Sequence, residues 1–257
     1  MSASATGSRA RYLPFSAGLA TVFAIFAVLE TLLRAGFLNR YIVPLPSDVL
    51  MSFSRVVAEE DIPRRFLQTF CEAFAAGLLA ASLGFACGVA LHRWTVLRQA
   101  TVTWVAAFAA APLVLAYPLF LVIFGRSPLT IIAMGFLAGL APVILKTLEG
   151  LQAVRPVLID VGRSFKLGRG PLFWKVQFPA AIPTIFTGIR LGLIFALINV
   201  VGMEFLINFG GLGQLINELA ERYDLAGTYA AITFVILVSV VIFAALERVE
   251  RWLRPTH

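Results

Sequence analysis

Long apolar stretches alternate with short polar segments along most of this 257-residue chain. A hydrocarbon core of about 30 Å is crossed by about 20 apolar helical residues, and six stretches approach or exceed that length. In chain order they are Leu13–Leu33, Phe66–Leu91, Ala100–Phe124, Leu129–Leu145, Ile185–Ile207 and Leu225–Leu246. The pattern therefore predicts an all-α integral membrane protein with six transmembrane helices.

Composition supports this prediction and argues against a soluble globule. Hydrophobic residues make up 60% of the chain and charged residues only 14%, and the mean hydropathy is +0.89. So few charged side chains cannot cover the surface of a water-soluble domain. The first apolar stretch also exceeds the 7–15 residues that are typical of a signal-peptide core, so we expect it to be a retained span.

The positions of the basic residues orient the chain, because cytoplasmic loops of membrane proteins are enriched in Lys and Arg. If the N-terminus lies inside, most of the 21 Lys and Arg residues fall on the inner face. Both termini are then predicted to be cytoplasmic, and the net charge of +7 requires no nucleic-acid partner. Residues 1–12 are predicted to be an unstructured N-terminal tail, 13–246 the six-helix transmembrane domain, and 247–257 a C-terminal tail.

Two predicted outer segments contain short helices. In residues 39–65 we expect Ser47 to cap a helix that lies at the membrane interface, and residues 208–224 combine a glycine turn with an amphipathic helix. Glu30 and Glu72 fall near the outer ends of their spans, where we expect their carboxylates to reach the interface.

Small residues recur at helical spacing within the spans. On the second span they form an i, i+4 ladder of Ala76, Ala80, Gly84 and Gly88. Small residues allow helix backbones to approach closely in lipid, so this helix is predicted to be central to the bundle. Pro112, Pro118 and Pro142 interrupt the third and fourth spans, either as ordinary kinks or as bending points that line a pathway.

Glu204 is the main candidate for function inside a span, because ionisable groups are costly in the membrane. Asn199 lies five residues before it and Asn208 four residues after it. Two interpretations are open: Glu204 lines or gates a pathway, or it hydrogen-bonds within the bundle near the outer boundary.

The longest predicted cytoplasmic connection, about 146–184, has an unusual construction. Its segment 160–183 reads DVGRSFKLGRGPLFWKVQFPAAIP. An apolar face on a short helix would be formed by Val157, Leu158, Val161 and Phe165, with Asp160, Arg163 and Lys166 beside it. Gly168, Gly170 and Pro171 are expected to break this helix, and Pro179 and Pro183 to begin the next span. Such a helix between two spans would move both of them.

This segment resembles the cytoplasmic loop of permease subunits of binding-protein-dependent ABC importers. Their pattern is EAA, three residues, Gly, nine residues, Ile, one residue, and Leu-Pro. Here the EAA positions hold Asp160, Val161 and Gly162, and the last three positions hold Val176, Phe178 and Pro179. Lys166 stands where the family usually has glycine, and Gly168 follows two residues later. We therefore expect a displaced turn or a slightly longer helix.

Within that superfamily the chain looks most similar to the nitrate, sulfonate and taurine group. The similar stretches are VPLPSDVL, APLVLAYPLFLVIFG and GMEFLINFGGLGQLI. The resemblance implies a type I ABC importer permease fold in the bacterial inner membrane, with a cytoplasmic coupling helix. The implied coupling residues are Asp160, Val161, Gly162, Arg163, Lys166, Gly168 and Pro179.

The resemblance also implies partners and cargo. A second permease copy would give a homodimer, two ABC ATPase subunits would dock beneath it, and a periplasmic substrate-binding protein would deliver the solute. ATP and Mg²⁺ would be bound by the ATPase subunits. The implied solute is a small organic or inorganic anion such as a sulfonate, nitrate or carboxylate.

The sequence contains none of the common motifs for phosphate binding, metal binding or catalysis. It contains no GxxxxGK[ST] phosphate-binding loop, no CxxC and no HExxH, and its only histidines are His92 and His257. We therefore expect no catalytic residue, no metal and no cofactor on this chain. An ion-driven carrier and an intramembrane enzyme are the alternatives. The first often has inverted repeats and the second needs a reactive constellation, and neither feature is evident.

Overall fold

The computed structural model describes residues 6–40 and 42–253, and this part of the chain contains helices but no β-strand. In order the helices are α1 Thr6–Arg34, α2 Pro46–Glu59, α3 Ile62–Arg93, α4 Thr95–Ala110, α5 Tyr117–Phe124, α6 Pro128–Gln152, α7 Pro156–Ser164, α8 Arg169–Leu172, α9 Phe178–Ile207, α10 Gly211–Glu221 and α11 Leu225–Leu253. A 3₁₀ turn, Leu113–Ala116, separates α4 from α5. A π-helical turn, Phe173–Gln177, joins α8 directly to α9.

Four of the described helical segments are long and apolar enough to cross a membrane. They are Ile62–Arg93, Pro128–Gln152, Arg169–Ile207 and Leu225–Arg251. Helix α4 and the segment Leu113–Phe124 qualify only as a pair, and that pair is bent by 88°. The described residues therefore give four or five candidate spans, and six spans with cytoplasmic termini stay a prediction.

The bend lies within the predicted third span, Ala100–Phe124, which Pro112 and Pro118 are expected to interrupt. It falls at Ala111 and Pro112, where Ala111 is extended and the proline has no N–H to continue the helix. Pro118 lies in the first turn of α5, where its missing N–H has no helical partner to lose. Pro142 lies inside the continuous helix α6. Of the three prolines, only Pro112 marks a sharp change of direction.

Helix ends also differ from the predicted boundaries. Helix α1 begins at Thr6 and α11 continues to Leu253, so residues 6–12 and 247–253, expected to be tails, are helical. Residues 1–5 and 254–257 of the predicted tails lie outside the described residues. The expected Ser47 cap of α2 is wrong: Leu45 occupies the N-cap position. The hydroxyl of Ser47 instead donates to Glu30 Oε1 at 2.8 Å, which joins α1 to α2.

Small residues let α6 pack tightly between α3 and α9. All four ladder residues of α3 are buried, and they meet α6 in steps of four residues, with Ala76 beside Gly135 and Ala80 beside Gly139. A Cβ atom added at Gly139 would lie 2.6 Å from the Gly192 carbonyl oxygen of α9 and 3.1 Å from the Ala80 Cβ. No side chain fits in that space, so glycine is required where the three helices meet.

Candidate functional site

Four of the predicted coupling residues, Asp160, Val161, Gly162 and Arg163, lie on α7. Lys166 lies in the turn that follows, Gly168 precedes α8, and Pro179 lies in α9. Asp160 and Arg163 are about 70% and 68% exposed and form an ion pair of 3.4 Å on the helix surface. Beside them the apolar side chains are also exposed, with Val161 at 48% and Phe165 at 76%. Exposed apolar side chains on so short a helix are typical of a contact surface.

Helix α7 ends in a Schellman motif that is centred on Lys166. The Leu167 amide donates to the Gly162 carbonyl at 3.2 Å, and the Lys166 amide donates to the Arg163 carbonyl at 2.8 Å. Lys166 has a φ of +59°, the left-handed conformation that glycine adopts most readily at this position.

The expectation of a displaced turn or a longer helix is therefore wrong, because Lys166 takes the glycine conformation in place. Gly168 is extended, with a φ of −68°, and occupies the N-cap position of α8. The expected break at Gly170 and Pro171 is also wrong, because both residues lie within α8. Residues 153–177, which include α7, α8 and the π-helical turn, lie between α6 and α9, and the cytoplasmic connection of about 146–184 stays a prediction.

Helix α7 is attached to the C-terminal end of α6 and to the N-terminal end of α9. Its buried residue, Gly162, lies against Leu172, whose Cδ1 would be 2.5 Å from an added Cβ. Ile159 packs on an apolar cluster of Leu151, Val154, Ala181 and Ile185, which come from α6, the following turn and α9. Pro179 lies exposed in the first turn of α9. A force on α7 would thus reach two helices of the bundle core.

Glu204 lies at the opposite end of α9, fully buried beneath the start of α10. Its Oε2 accepts a hydrogen bond from the Thr69 hydroxyl at 2.9 Å and another from the Gly213 amide at 2.8 Å. The Thr69 oxygen also accepts from the Leu212 amide at 2.8 Å. Glu204 and Thr69 therefore satisfy amides in the first turn of α10, where a helix favours negative charge.

Glycines make this close approach possible. A Cβ at Gly211 would lie 2.1 Å from Glu204 Oε1, and one at Gly213 would lie 2.2 Å from the Val201 carbonyl oxygen. Gly211 also has a φ of +71°, which favours glycine independently. The glycine turn seen in the sequence thus covers the buried carboxyl group of Glu204.

The expectation that Glu72 reaches the interface is wrong. Its side chain is buried, and its Oε1 accepts from Gln68 at 3.0 Å. Sequence reasoning missed Thr69, Gln68 and the role of Glu72. The one available signal was an acidic residue within a span, since acids there require partners.

The structure does not bring Asn199 and Asn208 into this cluster. The Asn199 amide donates to the Phe195 carbonyl of its own helix at 3.0 Å. Asn208 ends α9 in a left-handed conformation, and its carbonyl accepts from Arg126 at 2.6 Å. The three predicted residues therefore have separate partners.

Ion pairs hold α10 to the helices around it. Arg65 of α3 pairs with Glu218 at 2.8 Å, and Arg222 pairs with Glu60 at 3.0 Å. Arg55 of α2 pairs with Asp224, which also accepts from the Gly227 amide at the start of α11. Burial alone would raise the pKa of Asp224, but the hydrogen bonds from Arg55 and Gly227 hold this pKa below its ordinary value.

Comparison with known proteins places this arrangement in a family. The family described as "Binding-protein-dependent transport system inner membrane component" matches residues 74–255, which include α6, α7 and α9. The chain therefore belongs to this family. It is a permease subunit of an ABC importer, and it is a multi-pass protein of the bacterial inner membrane.

Individual relatives and solved structures agree with this assignment. The taurine transport system permease protein TauC of Escherichia coli is 24% identical over 93% of this chain and 89% of its own length. The putative aliphatic sulfonates transport permease protein SsuC of Bacillus subtilis is 24% identical over 91% and 85%.

A nitrate import permease protein, NrtB of Synechocystis, is 28% identical over 48% of this chain and 44% of its own length. Among solved structures, the inward-facing MetNI methionine ABC transporter matches with a TM-score of 0.66 and 20% identity, over 76% of this chain and 96% of that one. This likeness supports the importer permease fold.

Proposed function

We propose that α7 is the coupling helix through which an ABC ATPase subunit drives this permease. The observation that carries the proposal is an exposed apolar surface, including Val161 and Phe165, on a short helix fixed to α6 and α9. A solvent-exposed apolar face is stabilised when a partner covers it. ATP and Mg²⁺ would be bound by that partner, so this chain converts motion and catalyses nothing.

The mechanism that we infer is alternating access. Closure of two ATPase subunits around ATP would move two coupling helices, one on each permease of a homodimer. Because α7 packs on the inner ends of α6 and α9, these helices would follow it as a body. Tight packing across Gly139 and Gly192 favours rigid movement, since closely packed helices transmit displacement and deform little.

Charge reversal on α7 tests this coupling. Arg163→Glu should abolish transport-linked ATP hydrolysis and retention of the ATPase during mild detergent purification, while membrane insertion stays normal. Arg248→Glu, at the exposed end of α11, is the matched control and should retain both. If Arg163→Glu and Val161→Asp both keep the ATPase bound and stimulated, the proposed contact is wrong, and a self-powered carrier becomes the better account.

The solute that we propose is a small anion delivered by a periplasmic binding protein. The support is the printed function of the relatives, whose names specify taurine, aliphatic sulfonates and nitrate. Uptake of labelled taurine, alkanesulfonate and nitrate by membranes that contain the whole transporter tests the class. Uptake of a neutral or cationic solute with none of these anions would contradict it.

We further propose that Glu204 acts in the outer closure and does not bind solute. Its carboxyl group is buried and holds the first turn of α10 together with Thr69. Asn199, half-buried on α9, is the better candidate to face the pathway. Glu204→Gln should lower thermal stability with little change in the KM of transport, whereas a raised KM at unchanged stability would indicate a solute contact.

A further inference from the structure

An open cavity of about 610 Å³ lies at the end of α3 that is opposite to Glu204 and α10. It lies between the last turn of α3 and the segment formed by α8 and the π-helical turn. Its walls include His92, Arg93, Arg169, Phe173, Trp174 and Gln177. Two guanidinium groups, an imidazole, an amide and two aromatic rings thus surround one space, and no carboxylate lines it among the described residues.

The polar groups of this cavity are poorly satisfied within the protein. In the described ranges, neither Arg93 nor Arg169 forms an ion pair or side-chain hydrogen bond. The Nδ1 atom of His92 is buried and has no hydrogen-bond partner. Guanidinium groups bind phosphate oxygens with matching geometry, so Arg93 and Arg169 together suit a phosphate.

Arg93 also lines a second, broad and open depression on the surface. Its other walls are Trp94, Thr95, Val96, Leu97 and Ala100, and Val96 is 80% exposed. A cationic cavity beside a largely apolar depression matches a ligand with a charged head and a hydrocarbon tail. Inorganic phosphate would fill only the first of the two.

We propose that this cavity and the adjacent depression bind an anionic phospholipid of the inner leaflet, with its phosphate between Arg93 and Arg169 and an acyl chain along Trp94 and Val96. The proposal rests on the orientation predicted above, which places this end of α3 at the cytoplasmic interface. Tryptophan side chains favour the depth of lipid headgroups, and Trp94 and Trp174 are both exposed here. Basic pockets between helices at this depth recognise anionic headgroups.

Native mass spectrometry of the full chain, released from nanodiscs that contain phosphatidylglycerol and phosphatidylcholine, tests the site. Wild-type protein should retain phosphatidylglycerol selectively. The double variant Arg93→Gln with Arg169→Gln should bind it about 30-fold more weakly, the loss expected for two cations near an anionic lipid. Arg248→Gln with Arg251→Gln removes equal charge from the exposed end of α11 and should bind as wild type.

Further measurements distinguish the source of the phosphate and guard against misfolding. Inorganic phosphate should not raise the melting temperature of the detergent-solubilised chain as much as phosphatidylglycerol does, and Val96→Asn should weaken binding of long-chain but not dihexanoyl lipid. In lipid-free neutral detergent the arginine variants should melt as wild type. Equal lipid binding by all variants, or equal stabilisation by inorganic phosphate, would overturn the proposal.

Discussion

Lys166 provides a sharp test of how α7 is terminated, because it occupies a glycine conformation with a lysine side chain. Its φ of +59° costs an L-residue about 1–2 kcal/mol. Lys166→Gly removes that strain but adds chain entropy to the unfolded state, which offsets about 0.5–1 kcal/mol. The net expectation is that the end of α7 becomes more stable by about 0.5–1 kcal/mol.

Loss of the lysine side chain should not obscure this gain. Lys166 is exposed, and it forms no side-chain hydrogen bond or ion pair within residues 6–40 and 42–253. Lys166→Ala removes the same charge but keeps the strain, and Lys166→Asn is intermediate because asparagine tolerates the left-handed region. The predicted order of local stability is therefore Gly, then Asn, then Ala.

Hydrogen exchange measures this order at the residues concerned. The amides of Lys166 and Leu167 donate the two bonds of the Schellman motif, so a gain of about 0.5–1 kcal/mol should slow their exchange about two- to fivefold. Exchange in Lys166→Gly that is no slower than in Lys166→Ala would refute the reasoning. All three variants lack the positive charge of Lys166. If all three lose ATPase coupling to the same extent, the loss is due to the missing charge and not to a change in the turn.

Three further predictions concern the helix core and the contacts around α10. Gly139→Ala should destabilise the chain by about 1–3 kcal/mol, because the added Cβ overlaps the α9 backbone. Gly202→Ala is the control and should not destabilise it, because no atom lies within 4 Å of the new Cβ. Equal melting temperatures of the two variants would contradict this prediction. Thr69→Val should cost about 1–3 kcal/mol by leaving a buried amide unpaired, and Thr69→Ser should restore most of the lost thermal stability. Because Arg55 and Gly227 hold the pKa of Asp224 below 3.8, its pairing contributes stability above that pH and loses it as the pH falls through the lowered pKa. Asp224→Asn should remove this loss of stability in acid. At neutral pH it should lower the free energy of unfolding by less than about 1 kcal/mol, because the ion pair is partly exposed. An unchanged dependence of thermal stability on pH would contradict the role of Asp224.

The features that the sequence predicted well are those that a local pattern contains. The ladder from Ala76 to Gly88 has the four-residue step of one helix face, so its face is visible without knowing the neighbour that it meets. Apolar and charged positions around Val161 likewise have the spacing of a short amphipathic helix, and α7 begins and ends close to the predicted residues. In both cases the helical repeat alone is enough to show which residues share a face.

Other features depend on contacts or backbone angles that residue identity does not encode. Thr69 and Glu204 are 135 residues apart in the chain, so their hydrogen bond follows only from the packing of α3 against α9. Serine is a favourable N-cap residue, yet the hydroxyl of Ser47 donates its hydrogen bond to Glu30 of α1. At Lys166 the resemblance supplied the right position for a left-handed turn, but the missing glycine led to the wrong expectation that the turn had moved.

The two ends of the core helices are built for different tasks. At one end, α9 ends beneath α10, where the buried Glu204 and several ion pairs fix α10 to α2 and α3. At the other end, α9 begins from the short connection that carries α7, and the side chains there face outward. Close packing along Gly139 and Gly192 joins the two ends. We expect a displacement applied at α7 to be absorbed outside this close packing, at the bend beside Pro112. A cross-link across this bend should stop transport, while cross-links between α6 and α9 should leave it intact.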